Sequence, residues 1–142
     1  MFPVGCVDWV DAVHACAYEG KRLPTQTEGE VAAEGARRAP RPLPLGPPMA
    51  ESAALRHLVT AGLHITCGDV DDLSAYLVCD MAGNVAEWTS SVYNGGHIVR
   101  GGSYLSPTPL FSAARVAVLA APDIGFRCVL DPAKAANATT PR

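Results

Sequence analysis

Lysine is almost missing from this chain, occurring only at Lys21 and Lys134. The eleven basic residues are scattered apart from Arg37, Arg38 and Arg41, and the fourteen acidic ones leave a formal net charge of -3. No basic stripe exists to follow a phosphate backbone, which excludes nucleic-acid binding as the expected function. Long apolar runs are missing too. The longest, around Ala113 to Pro122, is broken by Arg115 and is too short to span a bilayer. The N-terminus shows no succession of basic, apolar and small residues of the signal-peptide kind, so the chain reads as soluble, with the cytoplasm as its default location. Five cysteines are present, yet no Cys-x-x-Cys occurs and none lies between Cys79 and Cys128. The odd number leaves at least one thiol unpaired in the monomer, and neither a zinc ribbon nor a closed disulfide framework is indicated.

At 142 residues and 49% hydrophobic content the chain can build one core but not two. A single domain over residues 1–131 is therefore expected. From Asp131 onward the sequence has too little apolar content to pack, so residues 132–142 read as a disordered tail.

Asp8 is placed to cap a helix over Trp9 to Glu19, with Gly20 as its left-handed stop. Thr25 and Glu28 in Pro24-Thr-Gln-Thr-Glu28 form a capping box, which predicts a second helix ending at Gly35. Five prolines between residues 40 and 48 predict an irregular connection, and Ser52 is placed to cap a third helix over Ala53 to Ala61. The grammar then changes to strands. Candidates are Leu63 to Cys67, Ala75 to Val78, Trp88 to Tyr93, His97 to Arg100 and Ile124 to Leu130, with Asn94-Gly95-Gly96 as a hairpin turn.

Four segments carry a resemblance. Gly20-Lys-Arg-Leu-Pro-Thr-Gln-Thr-Glu28, Asp80-Met-Ala-Gly-Asn-Val-Ala-Glu-Trp88, Arg100-Gly-Gly-Ser-Tyr104 and Gly125-Phe-Arg-Cys128 resemble, in order and spacing, the formylglycine-generating enzyme or sulfatase-modifying factor family. Val7-Asp8-Trp9 resembles its capped entry into the first helix, and the likeness runs from about Pro3 to Val129. It implies an α+β, C-type-lectin-like fold: helices on a small antiparallel sheet, with long irregular loops. Family domains begin before the point matching Phe2-Pro3-Val4, so a partial domain is expected. Pro44-Leu45-Gly46 stands where the family tends to show Pro-Trp-Gly, and Gly29 and Ala86 stand where it typically carries tryptophan.

The resemblance implies a copper-dependent oxidase that converts a sulfatase cysteine to formylglycine, with copper(I) on two thiolates soon after Gly-Gly-Ser. Soft copper(I) needs soft ligands. Here Tyr104 to Arg115 contains no cysteine, and Ser106 or a neighbour stands where the first ligand belongs. Copper is not expected, and no catalytic residue is assigned. The resemblance further implies a disulfide between Cys16 and Cys128; a pair of reduced, buried thiols is the preferred reading for a chain without a secretory signal. Positions matching a second family disulfide, near Ala33 and Ser112, are not cysteine, while Cys6, Cys67 and Cys79 are expected to be buried thiols.

By the same resemblance Asp80 and Glu87 side chains with the Gly83 and Val85 carbonyls would hold a structural calcium ion, against a reading in which they only cap turns. Gly68-Asp-Val-Asp-Asp72 reads as a solvated turn. His14, His57, His64 and His97 have no metal-ligand spacing, and Arg100, Arg115 and Arg127 are expected to pair with carboxylates. The favoured function is a non-catalytic lectin-like module that binds a protein or peptide ligand, or a missing domain of the same protein. The alternatives are the oxidase itself, or a fragment of the accessory domain of an iron-dependent sulfoxide synthase or of a kinase-linked protein.

Overall fold

The computed structural model describes residues 2–34, 74, 76–105 and 114–131. The predicted third helix, the strand candidate Leu63 to Cys67, the Gly68 to Asp72 cluster and the tail lie outside these residues.

Helix α1 spans Trp9–Tyr18, and the Asp8 carboxylate accepts from the Asp11 amide at its start. Its inward residues Ala12 and Cys16 are completely buried. Helix α2 spans Gln26–Glu34. It opens on the predicted capping box, in which the Glu28 amide donates to Thr25 Oγ1 at 3.1 Å and the Thr25 amide donates to Glu28 Oε2 at 2.8 Å.

Among the described residues four strands follow: β1 Ala86–Tyr93, β2 Gly96–Arg100, β3 Ala114–Ala117 and β4 Ile124–Phe126. They form one sheet in the order β3-β2-β1-β4. The β1–β2 hairpin turns through Asn94 and Gly95, both with positive φ, the pairing that matches strand twist in a tight hairpin. β1 and β2, and β2 and β3, are antiparallel, but β4 runs parallel to β1 with Ala86 opposite Ile124. The α+β fold is as expected; the sheet is mixed and not wholly antiparallel, because β4 pairs with β1 in parallel.

Three strand readings need correction. The predicted strand Ile124 to Leu130 stops at Phe126 as β4, with an isolated bridge from Val129 to Arg22 beyond it. Tyr76 to Val78 is a tight loop around Ser74, whose hydroxyl accepts from the Tyr76 and Val78 amides and whose backbone amide donates to the Val78 carbonyl. A side-chain oxygen has taken the place of a ladder partner. β3 is a strand that the sequence reading missed, since three of its four residues are exposed and a half-buried alternation is not visible there.

The core is Ala12, Cys16, Leu23, Ala86, Trp88, Val99 and Ile124, with Val7, Trp9, Val13 and Phe126 packed around it. A β-bulge between Trp88 and Val92 takes Thr89 out of the ladder. Its carbonyl is then able to accept from the Trp9 indole N–H at 2.8 Å, while its hydroxyl donates to the Ile98 carbonyl. Trp88, 1% exposed, donates from its own indole to the Val7 carbonyl at 2.8 Å. The Leu-Pro-Thr-Gln corner is stitched to the same bulge, with the Ser90 amide donating to the Pro24 carbonyl and the Gln26 amide to Ser91 Oγ. At Gly125 a Cβ atom would stand 2.5 Å from the Val4 carbonyl oxygen. Only glycine lets the N-terminal segment lie so close to β4.

Candidate functional site

The loop before β1 bends sharply, with Asp80, Gly83 and Asn84 all at positive φ. It is tied to the segment after β2: the Gly83 amide donates to the Gly101 carbonyl at 2.7 Å, and the Tyr104 amide to the Asn84 carbonyl at 2.9 Å. Gly101 takes φ +96, and a Cβ there would lie 3.1 Å from the Met81 carbonyl oxygen. The Asp80 to Trp88 and Arg100 to Tyr104 segments, far apart in sequence, thus form one layer.

Three arginines fasten this layer to the rest, each through a carboxylate. Arg127 grips Glu87 with two bonds, Nε to Oε2 and Nη2 to Oε1, and Nη2 also reaches the Cys79 and Asp80 carbonyls. Arg100 Nη2 donates to Glu30 of α2 at 2.5 Å. Arg115 Nη2 and the Ser103 hydroxyl both donate to Asp123 Oδ2 at 2.7 Å. These are the carboxylate pairings that the sequence placed on Arg100, Arg115 and Arg127. A fourth cluster sits at the corner, where Arg22 donates to both Glu28 oxygens and to Asp131 Oδ1. The Arg22 hydrogen bonds, reinforced by those from Thr25, hold the Glu28 carboxyl at about 2, well below the ordinary carboxylate value.

Asp80, Val85 and Glu87 line one cleft of about 450 Å³ together with Arg127, Phe126 and Leu77. Gly83 does not line it. The guanidinium of Arg127 stands against Glu87, one of the two carboxylates that the resemblance would give to calcium. Among the described residues, no group of three or more histidine, cysteine, aspartate or glutamate side chains could hold a metal ion.

The cysteines differ from expectation. Cys16 and Cys128 are joined, with Cα atoms 5.5 Å apart, a separation a disulfide spans without strain. The preference for two reduced thiols is overturned by that bond. Cys79 is also disulfide-bonded, and Cys6 is a free, exposed thiol instead of a buried one; Cys67 lies outside the described residues. The site feature that sequence reasoning missed is the environment of His97. It is stacked on Trp9 with ring centroids 3.7 Å apart, a contact across 88 residues of chain that has no local signature.

The sequence profile of the sulfatase-modifying factor enzyme 1-like domain matches residues 1–132. The chain belongs to the sulfatase-modifying factor family. A curated relative, inactive C-alpha-formylglycine-generating enzyme 2 of Bos taurus, is 30% identical over 154 aligned positions covering 89% of this chain. The match takes in 50% of the bovine protein, so the chain spans about half the length of that relative. Among solved structures, variable protein 1 of Treponema denticola superposes with a TM-score of 0.57 at 23% identity, covering 75% of this chain and 46% of that one. CarF gives a TM-score of 0.60 at 20% identity, covering 89% and 67%. At these identities the two structures speak for the fold alone. Within the family, the pairing of Glu87 with Arg127 describes how this member holds its Asp80 to Trp88 loop.

Proposed function

We propose that this sulfatase-modifying factor domain is a non-catalytic binding module. The observation that carries the reading is the absence of any cysteine from residue 80 to residue 127, the span that includes the segment after Gly-Gly-Ser. A serine hydroxyl at Ser106 is no substitute for a thiolate, since it stays protonated at neutral pH and is a hard oxygen donor. The cysteines on either side are engaged elsewhere, Cys128 with Cys16 and Cys79 in a disulfide of its own. The bovine relative's description as inactive points the same way.

The ligand we assign to the module is a protein or peptide segment, or another domain of the same protein. The cleft between Pro3, Val4, Leu77, Phe126 and Arg127 combines apolar side chains with the carboxylates of Asp80 and Glu87 and the Arg127 guanidinium. Leu77, Val4 and Phe2 are largely exposed beside it. Such a mixture suits an extended chain, whose side chains are apolar and whose backbone is polar.

The test is to incubate the full chain with copper(I), oxygen and a Cys-x-Pro-x-Arg peptide and to follow thiol and aldehyde. Retention of the thiol is expected. Loss of peptide thiol with a matching gain of aldehyde overturns the reading in favour of the oxidase.

A further inference from the structure

Both tryptophans of this chain meet a single histidine. His97 of β2 lies flat on Trp9, with centroids 3.7 Å apart and planes 12° from parallel, and edge-on to Trp88 at 6.4 Å and 88°. Trp9 is the first residue of α1, so this stack is where the N-terminal end of the helix seats on the sheet. Neither indole N–H is available to the imidazole, because Trp9 donates to the Thr89 carbonyl and Trp88 to the Val7 carbonyl. Among the described residues, the buried His97 Nδ1 finds no hydrogen-bond partner.

The charged groups around it are committed elsewhere or face water. On α1, Asp8, Asp11 and His14 are exposed, and the Asp8 carboxylate holds the Asp11 amide. On β1 the neighbours are Trp88 and Val92, and Glu87 is bound to Arg127. On β3, Ala117 stands opposite His97, and Arg115, two residues before it, is held by Asp123. Among the described residues no carboxylate bonds to this ring. The far end of α1 is fixed differently, through the Cys16–Cys128 bond.

We propose that His97 is a proton-operated latch for the N-terminal end of α1. The neutral ring seats Trp9; the protonated ring, carrying a buried N–H that meets no acceptor, releases it, while the disulfide keeps the other end of the helix in place. An imidazolium gains some attraction from an indole face, but leaving a buried donor unmet and a charge desolvated outweighs it here. Burial accordingly pushes the imidazole below its ordinary value of 6.5. The ring is neutral above that pH, and release comes as pH falls below it.

Because Trp9 and Trp88 are the only tryptophans, fluorescence excited selectively at tryptophan, away from the four tyrosines, reads this site. The full chain and its His97→Gln variant, which keeps a planar polar group but cannot titrate, are taken from about pH 7.5 to about pH 4.5. The wild type is expected to shift its emission reversibly to the red, with a midpoint below 6.5 and an unchanged far-ultraviolet circular dichroism spectrum; the variant is expected to stay flat. A constant wild-type spectrum, a loss of intensity without a red shift, or a shift that persists in His97→Gln overturns the latch. If the variant does not fold, amide hydrogen exchange of the wild type decides. Acid must then raise exchange at Ala12 and Val13, corrected for intrinsic rates, and leave Ala17 and Tyr18 unchanged; equal protection at both ends refutes it.

Discussion

Arg127 is the residue whose removal tests most directly how the Asp80 to Trp88 loop is held. Its guanidinium is 26% exposed and the Glu87 carboxylate 16%, so the pair is largely withdrawn from water. Breaking a fully buried pair from one side costs about 3–5 kcal/mol. With a quarter of the arginine still solvated, Arg127→Met should cost roughly 2–4 kcal/mol, because it strands the carboxylate and removes the donor to the Cys79 and Asp80 carbonyls. Glu87→Met should cost about 2 kcal/mol, less than the arginine change, since Arg127 keeps those two carbonyls. The double variant leaves no stranded charge and should fall short of the sum of the singles by at least ~1 kcal/mol. Urea unfolding followed by tryptophan fluorescence gives the free energies. For a chain of this size each kcal/mol moves the melting midpoint by roughly 3–4 °C, which puts Arg127→Met about 10 °C below the wild type. Additive singles within ~0.5 kcal/mol would refute the coupling. So would a wild-type midpoint that drops on adding a calcium chelator, for then a metal ion and not the arginine holds the loop; an unchanged midpoint is expected.

Replacing Cys16 and Cys128 together by alanine should cost about 2–5 kcal/mol, read by urea unfolding, because the bond closes a long loop in the unfolded chain; the two residues are 112 apart in sequence. Reductant in the wild type should cost at least as much, since it also opens the bond at Cys79, while the exposed Cys6 should react with a thiol reagent in the folded protein. The Glu28 carboxyl, held at about 2 in the folded state against 4.5 ordinarily, binds its proton more weakly when folded. Its contribution is therefore fully present above pH 4.5 and is lost as pH falls through 2. Because Glu28 is 42% exposed and water screens the pair, the contribution is only about 1 kcal/mol. Glu28→Gln, which can still serve the capping box, should remove that share of the acid sensitivity in unfolding measured against pH.

The elements legible in the sequence are those whose cause is local. The Asp8 cap, the Thr25 and Glu28 box and the Asn94-Gly95 turn each need only a few neighbouring residues, and each stands where the sequence placed it. The carboxylate partners of Arg100, Arg115 and Arg127 were legible as a kind of contact, though not by residue. What escaped depends on distant chain. Exposed β3 exists because β2 offers it an edge, and the parallel pairing of β4 with β1 carries no signal in either segment. The Ser74 loop looked like a strand because Tyr76, Leu77 and Val78 have strand propensity, which a hydroxyl bonded to two amides overrode. At the site, Glu87 and Arg127 could each be singled out from sequence, but their embrace could not, because the two stand 40 residues apart with no local signature to join them.

The fastenings of α1 also set an order of events during synthesis. Trp9 waits for Thr89, Val7 for Trp88, Arg22 for Val129 and Asp131, and Cys16 for Cys128. A ribosome that has released α1 and its corner must still translate about a hundred residues, at ~5–20 residues per second, before the last partners emerge. The β1–β2 hairpin can form as soon as its own turn is out, but the helix stays unmoored for seconds with its apolar stripe uncovered. High contact order makes such a chain slow to close and dependent on protection in the interval, so the final strand acts as a clasp on a structure assembled largely in waiting.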